Sequence, residues 1–277
     1  MRPVKTLTIS LSIIALLAIS GCISSPGVME DSEAASDKRY VKEFVLLTED
    51  GINISVIHFV NGKPNVCVLA HGFMGSKHRP YITGLTEKLS QYFDVITFDF
   101  RGHGESSGIY SGTKEPYDIK AVLDYARNYG YEKIAFVGFS LGGIQGIYAA
   151  AKFHDVDALV TVGTPADTEA VIPNAKWLFW LANNWFGRIV LQIWVRLDGS
   201  AEFPRPVTVV GQVSPIPILM VHGRDDTFVE LKEAQTLYEE AKEPKKLVII
   251  KGMKHPPDLP VEFYDTVVSW LTDLLTQ

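Results

Sequence analysis

The sequence predicts an α/β protein, a mostly parallel sheet with helices on both faces. Three observations carry this. From Tyr40 onward, short apolar runs alternate with longer stretches of helical pattern. The runs are uninterrupted, as suits parallel strands buried on both faces. Two β-branched runs precede them, joined by the hairpin-like turn Glu49-Asp50-Gly51.

In chain order, the first element is a leader. Arg2 and Lys5 form a positive head, Leu11 to Ile19 is an apolar core, and Ile19-Ser20-Gly21-Cys22 follows. This pattern resembles the lipobox of prokaryotic lipoproteins. The resemblance implies that residues 1–21 are a signal peptide and that Cys22 carries lipid. An uncleaved signal anchor is the alternative, and both readings leave the remaining chain extracytoplasmic and tethered to a membrane. Residues 22–39, rich in Ser, Ala, Glu and Asp, read as the lipidated start and a flexible tether.

The remaining residues, 40–277, read as one domain. Strands are expected at Val41–Leu47, Ile52–Val60, Val66–Ala70, Val95–Phe98, Ile134–Val137, Leu159–Val162, Ile218–Val221 and Leu247–Ile250. Helices are expected at Tyr81–Gln91, Tyr117–Tyr129, Leu141–Phe153, Leu231–Ala241 and Val261–Leu275. One interval breaks the rhythm, an insertion at about 167–213 that holds Trp177, Trp180, Trp185 and Trp194. It is too apolar for a loose loop and reads as helical.

Composition excludes several classes. The 277 residues are 47% hydrophobic and 21% charged, which is incompatible with disorder. A formal charge of −6 argues against a nucleic-acid partner. Two cysteines cannot build a disulfide framework or a four-thiolate zinc site. Cys67, inside an expected buried strand, reads as an inert core thiol. No metal cluster or dinucleotide fingerprint is visible, and no cofactor is expected.

Gly138-Phe139-Ser140-Leu141-Gly142 follows an expected strand and opens an expected helix. A strand-turn-helix this tight needs small neighbours and pushes the serine hydroxyl into the open. The helix start places unpaired N–H groups and a positive dipole end beneath it. A second match, Gly104-Glu105-Ser106-Ser107-Gly108, lacks any helical continuation and reads as a polar loop. A serine hydroxyl becomes a nucleophile when an imidazole takes its proton, and an acidic group must orient that imidazole.

Together with Phe98-Asp99-Phe100-Arg101-Gly102-His103-Gly104-Glu105-Ser106, which is similar to the Asp-x-Arg-Gly-His-Gly-x-Ser loop of these proteins, the motifs resemble the α/β-hydrolase superfamily over residues 40–277. The resemblance implies an α/β-hydrolase fold with a helical cap inserted after the sixth strand. It also implies a triad in the order serine, acid, histidine. Of seven histidines, His255 alone follows a credible acid at a strand end. Asp225 and Asp226 compete for the acid, and the family's Gly-x-x-Asp-x-x-Val spacing selects Asp226. Backbone N–H groups of Phe73 and Leu141 are the implied oxyanion donors, and His71 is expected to hold its loop. Trp177, Trp180 and Trp185 are candidates for an apolar pocket that favours acyl or aromatic acyl groups over charged substrates.

The resemblance implies a serine hydrolase of carboxylic esters, close in its motifs to carboxylesterases and monoacylglycerol-lipase-like enzymes, acting on a small-molecule ester. Thioesterases, acyltransferases and peptidases use the same triad. A non-catalytic hydrolase-fold binding lipoprotein is the reading from a different class.

Overall fold

A computed structural model describes residues 39–169, 171, 180, 195–197, 204–256 and 259–276. Cys22 with the whole leader, and Trp177 and Trp185, lie outside the described residues. Asp37–Gln277 forms one compact unit.

The strands are β1 (Tyr40–Leu47), β2 (Asn53–Val60), β3 (Asn65–Ala70), β4 (Asp94–Phe98), β5 (Lys133–Phe139), β6 (Ala158–Val162), β7 (Ile218–Gly223) and β8 (Lys245–Ile250). They form a sheet in the order β1-β2-β4-β3-β5-β6-β7-β8. β2 runs antiparallel to both its neighbours, and every pair from β4 to β8 is parallel. The β1–β2 turn closes through Gly51 N–H to Thr48 O at 2.9 Å, with Gly51 at φ 82°.

Period-two alternation divides the core. Val66, Val68, Phe136 and Met220 face one side, where they meet Val122, Ile147 and Leu237. Those three belong to α2 (Pro116–Tyr129), α3 (Leu141–Phe153) and α4 (Leu231–Glu240). Cys67, Leu69, Val137 and Leu219 face the other side, against Leu85 and Val267. These come from α1 (Pro80–Leu89) and α5 (Val261–Leu275). Strands buried on both faces are continuous apolar runs for this reason. Cys67 is fully buried, and burial pushes its thiol well up.

β3 is the switch point of the sheet. The chain leaves β3 for α1 on one face, and leaves β5 for α3 on the other. Loops departing to opposite faces open a crevice at the carboxyl ends of these strands. The insertion lies between β6 and β7. Within it, Val195 bridges to His103 and Leu197 to Tyr110, tying the insertion to the loop after β4.

At the opposite edge of the sheet, His58 is wholly buried among tyrosines. Tyr131 Oη donates to Asp94 at 2.6 Å, so it accepts from His58 Nε2–H at 2.6 Å. His58 Nδ1 is left to accept from Tyr125 Oη at 2.9 Å. This relay accommodates the neutral ring, and burial pushes the His58 pKa down from 6.5 to about 4.

This sets a pH dependence of stability. The unfolded chain takes up a proton near the ordinary histidine pKa, and the folded chain does so only near 4. The contribution is fully present above about pH 6.5 and is lost as pH falls toward 4. For His58 the whole window is worth on the order of 3 kcal/mol. Buried His71, His103 and His222 are pushed the same way by burial. Urea midpoints are expected to fall clearly between neutral pH and about pH 5. An unchanged midpoint contradicts the relay.

Candidate active site

The turn from β5 into α3 is the most constrained backbone in the site. Ser140 has φ 48° and ψ −108°, a region that residues with a Cβ avoid. Its N–H is fixed to Val162 O at 2.7 Å, and its carbonyl accepts from Ile144 N–H at 3.0 Å, starting the helix. Close approach explains both flanking glycines. A Cβ on Gly138 would lie 2.3 Å from the Gly142 carbonyl, and one on Gly142 would lie 2.5 Å from Ala70 O. The helix therefore crosses directly over the ends of β5 and β3. Ser140 is left half-buried at its start, with Leu141 as the first helical residue.

The loop after β3 faces this turn. Gly75 N–H bonds to Gly72 O at 2.9 Å, and Met74 adopts φ 59°. His71 holds the loop: its Nδ1–H donates to Gly72 O at 2.7 Å, and its Nε2 accepts from Phe100 N–H at 3.2 Å. Both nitrogens are thereby committed to backbone. Burial pushes the His71 pKa down, consistent with that neutral tautomer. Phe73, next in the loop, lines the same cleft as Ser140.

Asp226 and His255 come from the loops after β7 and β8. These loops are joined by Arg224 N–H to Ile250 O at 2.9 Å and Asp225 N–H to Met253 O at 3.1 Å. The Asp226 carboxylate is buried, and its Oδ1 accepts from the N–H groups of Phe228 and Val229, both at 2.9 Å. Its Oδ2 accepts from His255 Nδ1–H at 2.7 Å. Burial pushes this carboxyl upward, but the His255 hydrogen bond and charge and the Val229 N–H outweigh it and hold it below the usual range. In the neutral tautomer that donates from Nδ1 to Asp226, Nε2 is the nitrogen left to accept a proton. Asp225 is exposed and is not the partner of His255.

Ser140, His255 and Phe73 line one cleft of about 440 Å³. Its apolar walls include Phe139 and Phe228, and the Phe228 ring lies 4.8 Å from that of His255. Trp180 is 65% exposed and is not among the residues lining this cleft. Phe73, Phe139 and Phe228 are the phenylalanines among the cleft's described lining, and the other two tryptophans expected at a pocket, Trp177 and Trp185, lie outside the described residues. Sequence reading missed Arg79, which lines the cleft at the start of α1. Its signal was Arg79-Pro80, since proline at the first helical position fixes its predecessor as the cap.

The second serine motif has a structural explanation. Ser106 Oγ donates to Asp99 O at 2.5 Å and accepts from Ser55 N–H at 2.9 Å, wholly buried. The Asp99 carboxylate accepts from Lys77 N–H at 2.7 Å, Lys77 Nζ at 2.9 Å and Glu105 N–H at 3.0 Å. Arg101 is held by Asp50 and Asp118. This network locks the loop after β4 beneath the cleft.

A sequence-family model described as alpha/beta hydrolase fold matches residues 65–191. The uncharacterized protein YfhR of Salmonella typhimurium (strain LT2) is 30% identical over 192 residues, 67% of this chain and 62% of that protein. The chain thus spans about three fifths of the length of the first curated relatives it matches. The 3-oxoadipate enol-lactonase 1 of Acinetobacter baylyi is 31% identical over 121 residues, 42% of this chain and 44% of that protein. Among solved structures, the Pyrococcus furiosus esterase Pf2001 superimposes with a TM-score of 0.72 at 23% identity. That match covers 86% of this chain and 94% of the esterase chain.

Gly142→Ala is expected to lower stability by about 1–3 kcal/mol, because the new methyl meets the Ala70 carbonyl, which cannot rotate away. Gly130→Ala, at an open position with φ 101°, carries only the conformational strain and is expected to cost less. Thermal melts of the two variants check the order.

Proposed function

The chain has the α/β-hydrolase fold, and from that premise we propose that it is a serine hydrolase that cleaves carboxylic esters through an acyl-enzyme on Ser140. The observation that carries the proposal is the Asp226–His255 pair opening into the same cleft as the strained Ser140 turn. His255 Nε2 takes the Ser140 proton as Oγ attacks the ester carbonyl. The oxyanion is received by the N–H groups of Leu141 and Phe73. The acyl–oxygen bond breaks, and the alcohol leaves with the proton from His255. Water then attacks the acyl-enzyme and gives a proton to His255, the acyl–Oγ bond breaks, His255 returns that proton to Ser140 Oγ, and the acid leaves. Asp226 fixes the His255 tautomer and stabilises the imidazolium in both half-reactions. A lactone is an internal ester, so the relative named as an enol-lactonase fits this chemistry.

The N-terminus supports a place for the enzyme as well as a reaction. In this reading Cys22, after cleavage of residues 1–21, anchors the domain to the outer face of a membrane. Mass spectrometry of the mature N-terminus is expected to find a diacylglyceryl-type mass on Cys22. A chain that retains Met1 contradicts it.

The catalytic proposal is tested by fluorophosphonate labelling and p-nitrophenyl ester hydrolysis. Wild-type protein is expected to label and Ser140→Ala not to, with hydrolysis down about 10³-fold or more. Asp226→Asn is expected to lose about 10²–10⁴-fold in kcat. Asp225→Asn is expected to stay within a few-fold of wild type. Equal labelling of Ser140→Ala contradicts the assignment.

A further inference from the structure

Among the described residues, the cleft holds one cation with no carboxylate beside it. Among the described residues lining it there is no aspartate or glutamate, and Arg79 is the only lysine or arginine. The buried cations Lys77 and Arg101 are neutralised, Lys77 by Asp99 and Glu105, Arg101 by Asp50 and Asp118, whereas Arg79 is half-buried. Arg79 has no such partner among the described residues. Among the described residues its side chain makes one hydrogen bond, Nη2 donating to Met74 O at 2.7 Å. A guanidinium has five N–H donors, so most of the fork remains to bind something.

The surroundings favour an anion. α1 begins directly after Arg79 and α3 directly after Ser140, and neither has an acidic residue in its first turn. Their positive ends are therefore uncompensated on this side. This positive site stands in a chain of net charge −6, so it is not a reflection of overall composition. The same cleft is lined by the aromatic rings of Phe73, Phe139 and Phe228.

We propose that Arg79 is a specificity-determining residue that binds a free carboxylate on the substrate. The preferred substrates are then half-esters of dicarboxylic acids, or lactones that keep a second carboxylate. Carboxylate and guanidinium meet as a two-pronged, charge-assisted pair. The apolar walls hold the methylene or ring spacer, and the ester carbonyl lies at Ser140. This rests on the assignment of Ser140 above and deepens it. The tryptophans alone predict uncharged acyl groups, and Arg79 adds a demand at the far end of the acyl chain.

The test compares two substrates of equal acyl length on the full chain in detergent: mono-p-nitrophenyl glutarate, which is anionic, and p-nitrophenyl valerate, which is neutral. Rates are taken above the Ser140→Ala background, which removes self-hydrolysis of the glutarate. The measured quantity is the ratio of kcat/KM values, glutarate over valerate. Arg79→Met is expected to lower this ratio about tenfold or more, chiefly through the KM for glutarate. Arg79→Lys is expected to recover part of it, because the charge is kept and the fork is lost. A ratio that Arg79→Met leaves unchanged overturns the proposal, even if both rates fall. Support of the Phe73–Gly75 turn through Met74 would act on both substrates alike. Hydrolysis of valerate with no effect on the ratio thus rejects Arg79 alone. If neither ester is hydrolysed above background, the assignment of Ser140 fails and the carboxylate proposal falls with it.

Discussion

Where β5 turns into α3, the backbone of Ser140 is held at φ 48° and ψ −108°. Strain of this kind costs about 1–3 kcal/mol and persists only where surrounding structure over-determines it. Here the N–H of Ser140 is tied to β6, and Gly138 and Gly142 let the helix press onto the ends of β5 and β3. Everything else in the site is placed relative to that crossing. The loop after β3 leaves in the opposite direction, so its turn at Gly72–Gly75 faces the serine. The loops after β7 and β8 bring Asp226 and His255 to the same rim. Parallel strands make this possible, because they deliver all four loops to one edge of the sheet.

The histidines show how environment assigns roles to one residue type. His58, His71, His103 and His222 are buried beside tyrosine or backbone partners, and burial pushes all four down, toward the neutral ring. His255 instead reaches the cleft with Asp226 behind it. The same sorting holds for the carboxylates. Asp99 is committed to Lys77 and backbone N–H groups, Asp118 to Arg101, and Asp226 to His255. The cleft itself is left with no carboxylate among its described lining and with positive helix ends, which suits a developing oxyanion.

Much of this was legible in the sequence because it is encoded locally. Strands buried on both faces must be apolar throughout, and Val66–Ala70 or Ile218–Val221 cannot be read otherwise. The helix Leu141–Phe153 was opened by the motif before it, and the structure gives it the same bounds. Spacing alone separated Asp226 from Asp225; in the structure the first is buried against His255 and the second is exposed. What the sequence concealed is contact made across distance. Nothing local pairs Lys77 with Asp99, or lays Val195–Leu197 across the loop that holds His103 and Tyr110. Arg79 was hidden for the same reason: its place in the cleft, with no carboxylate among the described lining, is set by chain segments distant in sequence. Of the tryptophans read as pocket candidates, Trp180 is largely exposed, and Trp177 and Trp185 lie outside the described residues.

The central claim is that Ser140 forms a covalent acyl intermediate. The most direct measurement is to quench turnover of a p-nitrophenyl ester in acid, digest the protein and locate the acyl group by mass spectrometry. The account predicts the acyl mass on the peptide containing Ser140, accumulating in a burst before the steady state. Steady turnover with no acylated peptide, or with the acyl group on another residue, would contradict it.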